Sequence, residues 1–197
     1  MLTSAQARTA SQIEATLRRM AAYDDESVVH ETWLRQRYAT AGFATYAPAR
    51  RAAVVTAWHE AGHAVAALAT GAEFTSASIR HGAGSAGRVH GIRAAADTAF
   101  VIDAAGQIAE RLRDWTLPDS DEALTAWLPT WRADGGDARR FRRSIGVLFP
   151  GDEAGAWRHS EAVLVPLRPE IQHLARALLA HPRHLPREVV VALLGWP

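Results

Sequence analysis

Cysteine is missing from all 197 residues of this chain, and so is lysine. The first absence excludes disulfides and thiolate metal sites, so a metal ion could be held only by His, Asp or Glu. The second excludes the G-x-x-x-x-G-K-[ST] phosphate loop, which cannot be written without lysine. All 22 basic residues are therefore arginine, set against 21 acidic ones. The resulting formal charge of +1 leaves no electrostatic footprint for nucleic acid. Long apolar runs are missing as well: nothing approaches the roughly 20 residues of a bilayer span. Met1–Met20 is polar where a signal peptide would carry its apolar segment. These absences predict a cytoplasmic protein with no nucleic-acid, membrane or ATP partner. A chain of this length supports one domain with a proper core, with an arm appended.

What is present is a pentapeptide, His59-Glu-Ala-Gly-His63, which has the H-E-x-x-H form. On a helix, positions i and i+4 share a face, so His59 and His63 can present imidazole nitrogens to one ion. Glu60 lies beside the first of them, placed to take a proton from an activated water rather than to bind metal. The surrounding stretch, Arg51–Gly71, is mostly Ala, Val and Leu without internal proline, and Gly71 supplies a left-handed stop. In so apolar a helix, two histidines and a glutamate are costly unless they have a role. Ala61 and Gly62 are small enough to let another segment approach the same face.

Residues 1–46 read as an N-terminal helical arm, with helices over Ser11–Ala22 and Ser27–Tyr38, and Gly42 and Pro48 punctuate the passage onward. Residues 47–197 read as the domain proper. Phe74–Arg80 and Arg88–Arg93 form a predicted hairpin about a glycine-rich turn, His81–Gly87. Asp97–Leu112 is helical, with a stripe of Phe100, Val101, Ala104, Ile108 and Leu112. Asp119–Glu122 resembles a capping box before a helix reaching about Trp131. Asp137–Phe149, Asp152–His181 (broken near Pro166 and Pro169) and Pro186–Leu194 complete the helices. The fold class is α+β and mostly α, a zincin-like helical domain with a small hairpin beside the H-E-x-x-H helix.

A catalytic zinc keeps three protein ligands and an open position, so a third ligand must follow His63. Two candidates stand out. Glu110 lies on Gly106–Leu112, with Asp114 one turn on, mimicking an E-x-x-x-D arrangement; Asp137 follows Gly135-Gly136 at a helix start. Asp137 could equally cap that helix, and Glu110 could accept from the outer N–H of a zinc histidine.

The stretch Ala57–Ala72, Ala-Trp-His-Glu-Ala-Gly-His-Ala-Val-Ala-Ala-Leu-Ala-Thr-Gly-Ala, closely resembles the protease domain of the FtsH family of ATP-dependent zinc proteases. The likeness continues in order through Ala77–Arg88, Ala105–Leu112, Gly135–Phe141 and the tail from Leu167 to Leu194. The resemblance implies that Asp137 is the third ligand, beside His59 and His63, and leaves Glu110 as an outer partner or alternative ligand. It also implies Zn2+ as cofactor and Glu60 as general base of a metalloendopeptidase acting on peptide or protein substrates. Where the family carries an AAA ATPase module and membrane anchors, this chain shows neither. An inserted segment over Leu117–Trp131 precedes the expected ligand. The activity expected is ATP-independent cleavage of flexible or unfolded segments, alone, as a homo-oligomer or with a separate partner. The alternative is a zinc-binding adaptor that keeps the protease fold.

Other residues carry weaker signals. His81 and His90 flank the hairpin turn as surface histidines or transition-state stabilisers, Asp103 is a candidate to orient a zinc histidine, and the Arg139-Arg140/Arg142-Arg143 cluster reads as a solvated face or the seat of an acidic partner. His159, His173, His181 and His184 read as solvent-facing, and the tryptophans as core or interface anchors.

Overall fold

The computed structural model describes residues 3–20, 46–79, 87–133, 135–146, 148–181 and 184–196. The predicted helix over Ser27–Tyr38, Gly42, Trp33 and His81 lie outside the described residues. Helix α1 runs Ser4–Met20, earlier than its spacing suggested, and α2 runs Tyr46–Ala69. Pro48 falls in the first turn of α2 rather than before it, where its missing N–H breaks no helical bond. Beyond Ala69, Ala72 N–H reaches Ala67 C=O and Gly71 N–H reaches Leu68 C=O, with Gly71 at φ 72°. This is the paired bond pattern of a Schellman stop.

Strands β1 (Ser76–Ser78) and β2 (Arg88–His90) pair antiparallel, with Ala77 opposite Val89. Both are shorter than the apolar runs predicted, although an isolated bridge between Glu73 and Arg93 extends the pairing. A third strand unforeseen in the sequence, β3 (Leu185–Pro186), adds on the other side of β1, giving the order β2-β1-β3. Pro186, predicted to open the last helix, sits instead in this edge strand, where a residue without N–H is tolerated.

The remaining helices are α3 (Ala99–Asp114), α4 (Asp121–Ala133), α5 (Gly136–Ser144), α6 (Glu153–Leu164), α7 (Arg168–Ala180) and α8 (Arg187–Leu194). A short 3-10 turn, Val165–Leu167, carries Pro166 and joins α6 to α7, at the break the prolines predicted. Asp152 caps α6 by accepting from Gly155 N–H at 2.7 Å. The α+β, mostly α class is the observed one.

Helix α2 is central. From Ala57 to Ala67 all but His59 are buried, on every side of the helix, which explains why its apolar residues show no stripe. It packs chiefly on α3 and α7. A Cβ on Gly62 would stand 2.5 Å from the Ala105 carbonyl oxygen and 2.6 Å from the Ala109 Cβ. Glycine there lets α3 approach the metal-motif helix in backbone contact. Helix α3 in turn packs on α5 and α6.

An aromatic cluster fixes α5 from behind. Trp127 stacks on Trp131, Trp131 packs at 5.2 Å on Phe141 of α5, and both tryptophans meet Trp157 of α6. Trp157 donates to Glu161 at 2.6 Å, and Glu161 also accepts from Arg158 at 2.7 Å. The segment Leu117–Trp131 thus supplies packing that seats the helix bearing Asp137. Of the tryptophans expected as core or interface anchors, Trp115 is outside the core: it is 68% exposed, ends α3 at a left-handed φ of 52°, and lies under Arg168. His173 departs in the other direction, being half-buried, with an Nε2 that meets no partner. No helix among the described residues is long and apolar enough to cross a membrane.

Candidate metal centre

His59 and His63 project from one face of α2, as their spacing requires, with ring centroids 4.7 Å apart. Their outer nitrogens are committed. His63 Nδ1–H donates to the Ile102 carbonyl at 2.7 Å, and His59 Nδ1–H donates to Glu110 Oε1 at 2.6 Å. Each bond fixes the ring's tautomer and aims Nε2 at a common point. Asp137, in the first turn of α5, brings Oδ2 to that point. Oδ2 lies 3.0 Å from His59 Nε2 and 3.5 Å from His63 Nε2, and the two Nε2 atoms are 3.0 Å apart.

These distances test whether a metal fits. Three ligands at about 2.0–2.1 Å from a tetrahedral ion stand about 3.3–3.4 Å from one another. The observed 3.0, 3.0 and 3.5 Å edges bracket that value. Three lone-pair donors at such separations repel unless a cation or a proton lies among them. Among the described residues, His59, His63 and Asp137 form the group able to hold a metal ion.

Without metal, protons take the cation's role. Burial is the largest influence on His59 and disfavours its charge, but hydrogen bonds to Asp137 and Glu110 outweigh it and push the pKa up to about 10. Asp137 feels burial most as well, working against ionisation; its bonds to His59 and His63 prevail and hold it well below the ordinary carboxylate range. Glu60 is only 6% exposed, and burial pushes its carboxyl up, against the charges of His63 and His59.

The elements around the triad are shaped to it. Gly106 of α3 lies flat against the His59 ring: a Cβ there would come within 2.5–2.7 Å of its atoms. Arg140, one turn after Asp137, donates to Asp137 Oδ1 and to Asp103 Oδ1, the latter at 3.1 Å. Asp103 Oδ2 accepts from Ser144 Oγ at 2.9 Å. This chain occupies Oδ1 of Asp137 and leaves Oδ2 facing the histidines. The Nδ1 atoms of the two histidines are held by Glu110 and Ile102, so Asp103 acts on the ligand set through Arg140 and not by the direct orienting bond considered for it. Arg140 is not simply part of a solvated face. Its spacing of three from Asp137 signals an ion pair, whereas the Asp103 and Ser144 partners are remote in sequence and gave no signal.

The triad opens into a cleft of about 820 Å³ between α2, α3, α5 and β2. Glu60 lines it beside the ligands, Ile102 and Val89 give it apolar wall, and Arg88, Arg140 and Arg143 bring positive charge. His90, half-buried on the edge strand, has its ring centroid 6.2 Å from that of His184, and partial burial lowers its pKa. Comparison with protein-family models, with curated proteins and with solved structures returned no match.

Proposed function

We propose that the protein is a zinc-dependent endopeptidase, resembling an FtsH-type protease domain, with zinc on His59, His63 and Asp137. One observation carries the reading. Glu60, an acid with no place in the ligand set, is buried in the cleft wall beside it. A structural metal site has no use for that carboxylate. The donor set of two imidazoles and one carboxylate suits zinc, and all three residues line the cleft. Zinc there supplies Lewis acidity, lowering the pKa of water and stabilising negative charge on a carbonyl oxygen.

The chain's own residues supply the rest. Glu60 takes the proton from the attacking water and hands it to the departing amine. Burial, by raising its pKa, suits it to hold that proton between the two events. Strand β2 lines the cleft at the sheet edge, where its outer backbone groups can pair with an extended peptide. Flexible or unfolded segments are the substrates that such an edge can pair with unaided. Incubation of zinc-loaded protein with casein, beside its Glu60→Gln variant, tests the proposal. Zinc bound without any cleavage would move weight to an adaptor role for the same fold.

A further inference from the structure

The charged groups of the cleft are unevenly paired. Its lining includes the carboxylates of Glu60, Asp103 and Asp137 and the guanidinium groups of Arg88, Arg140 and Arg143. All three carboxylates are engaged: Asp137 by His59 and Arg140, Asp103 by Arg140 and Ser144, and Glu60 in its buried place beside the histidines. Arg140 is engaged by the two aspartates. Arg88, on β2, and Arg143, on α5, are exposed and have no carboxylate partner among the described residues.

Two guanidinium groups without a carboxylate partner among the described residues thus stand on different walls of one cleft, beside apolar side chains such as Ile92 and Ile102. A lysine-rich segment would meet repulsion there. A carboxylate would find a planar donor fork, strengthened where the wall excludes water. Resting on the peptidase reading of the same site, we infer that the cleft selects polypeptide segments carrying Asp or Glu near the bond to be cut, with Arg88 and Arg143 as the residues that recognise them.

The test is fluorescence anisotropy with a labelled, unstructured peptide made in three versions, with Glu, Gln or Lys at the same two positions. The Glu60→Gln protein is the receptor, so that binding is read without turnover; wild-type cleavage of the same peptides is followed in parallel. The Glu peptide should bind about tenfold more tightly than the Gln peptide, a difference of about 1.4 kcal/mol. The advantage should shrink as salt is raised and vanish when Arg88→Gln and Arg143→Gln are added. Arg143→Glu should move preference toward the Lys peptide. Equal affinity for the Glu and Gln peptides, or an advantage that survives both substitutions, overturns the inference. Its failure is distinct from failure of the peptidase reading. Equal cleavage of all three peptides removes only the selectivity, whereas acid-selective binding with no wild-type cleavage removes only the peptidase.

Discussion

Nε2 of His63 stands 3.0 Å from Nε2 of His59, and each ring has already given its other nitrogen to a fixed acceptor. Two such atoms cannot both offer lone pairs across that gap. In the metal-free protein Glu110 holds the proton on His59 Nδ1, and a second proton, on Nε2 and donated to Asp137 Oδ2, removes one of those lone pairs.

Metal uptake should therefore expel that proton. Because the metal-free pKa of His59 is pushed up to about 10, the ring is charged through neutral pH. Binding near neutrality should release close to one proton per ion, and apparent affinity should rise about tenfold per pH unit until pH nears 10. The stability of the metal-free protein follows the same signs. The His59 contribution, from a raised pKa, is full below its ordinary 6.5 and lost as pH climbs through about 10. The Asp137 contribution, from a lowered pKa, is present above its ordinary 3.8 and lost on acidification below it. Calorimetry in buffers of different ionisation enthalpy measures the proton count; uptake without release contradicts this account.

Gly106→Ala should cost metal affinity out of proportion to stability. The added methyl would sit within 2.5–2.7 Å of the His59 ring and force it from the Glu110 bond. Alanine favours the helix by about 0.8–1 kcal/mol over glycine, against about 1–3 kcal/mol of overpacking. The fold should survive while affinity falls by about 100-fold or more, the upper end for loss of an outer partner. Competition with a chromophoric chelator, beside a melting curve, checks both halves. Unchanged affinity would mean that the ring needs no such seat.

Arg140→Ala and Glu110→Gln each remove a group that aims a ligand. Each should weaken metal binding by about 10–100-fold. The Arg140 side chain is 57% exposed, so its loss should change stability by only about 0.5 kcal/mol. A large drop in melting temperature with metal affinity intact would assign Arg140 a structural role instead.

Legibility in the sequence followed the range of each interaction. His59 and His63 needed only helical periodicity, and Glu60 came with them. The break between α6 and α7 was visible because Pro166 and Pro169 act locally. Strand β3 was hidden because a two-residue strand has no periodicity and exists only through β1, more than 100 residues away in the chain. Asp137 and Glu110 could be named, yet spacing alone did not separate their places. Their division rests on which side of the His59 ring each helix approaches, a consequence of α3 and α5 packing. The Ser144–Asp103–Arg140 chain was unreadable for the same reason: its first link spans 41 residues.

The most direct test of the account is zinc content and casein cleavage measured together in wild type and Glu60→Gln. The account predicts about one zinc per chain in both, at the site of His59, His63 and Asp137, with cleavage by wild type and at least about a 100-fold loss in the variant, within the usual reach of general-base catalysis. Full activity in Glu60→Gln, or a zinc-loaded wild type that leaves casein intact, would contradict it.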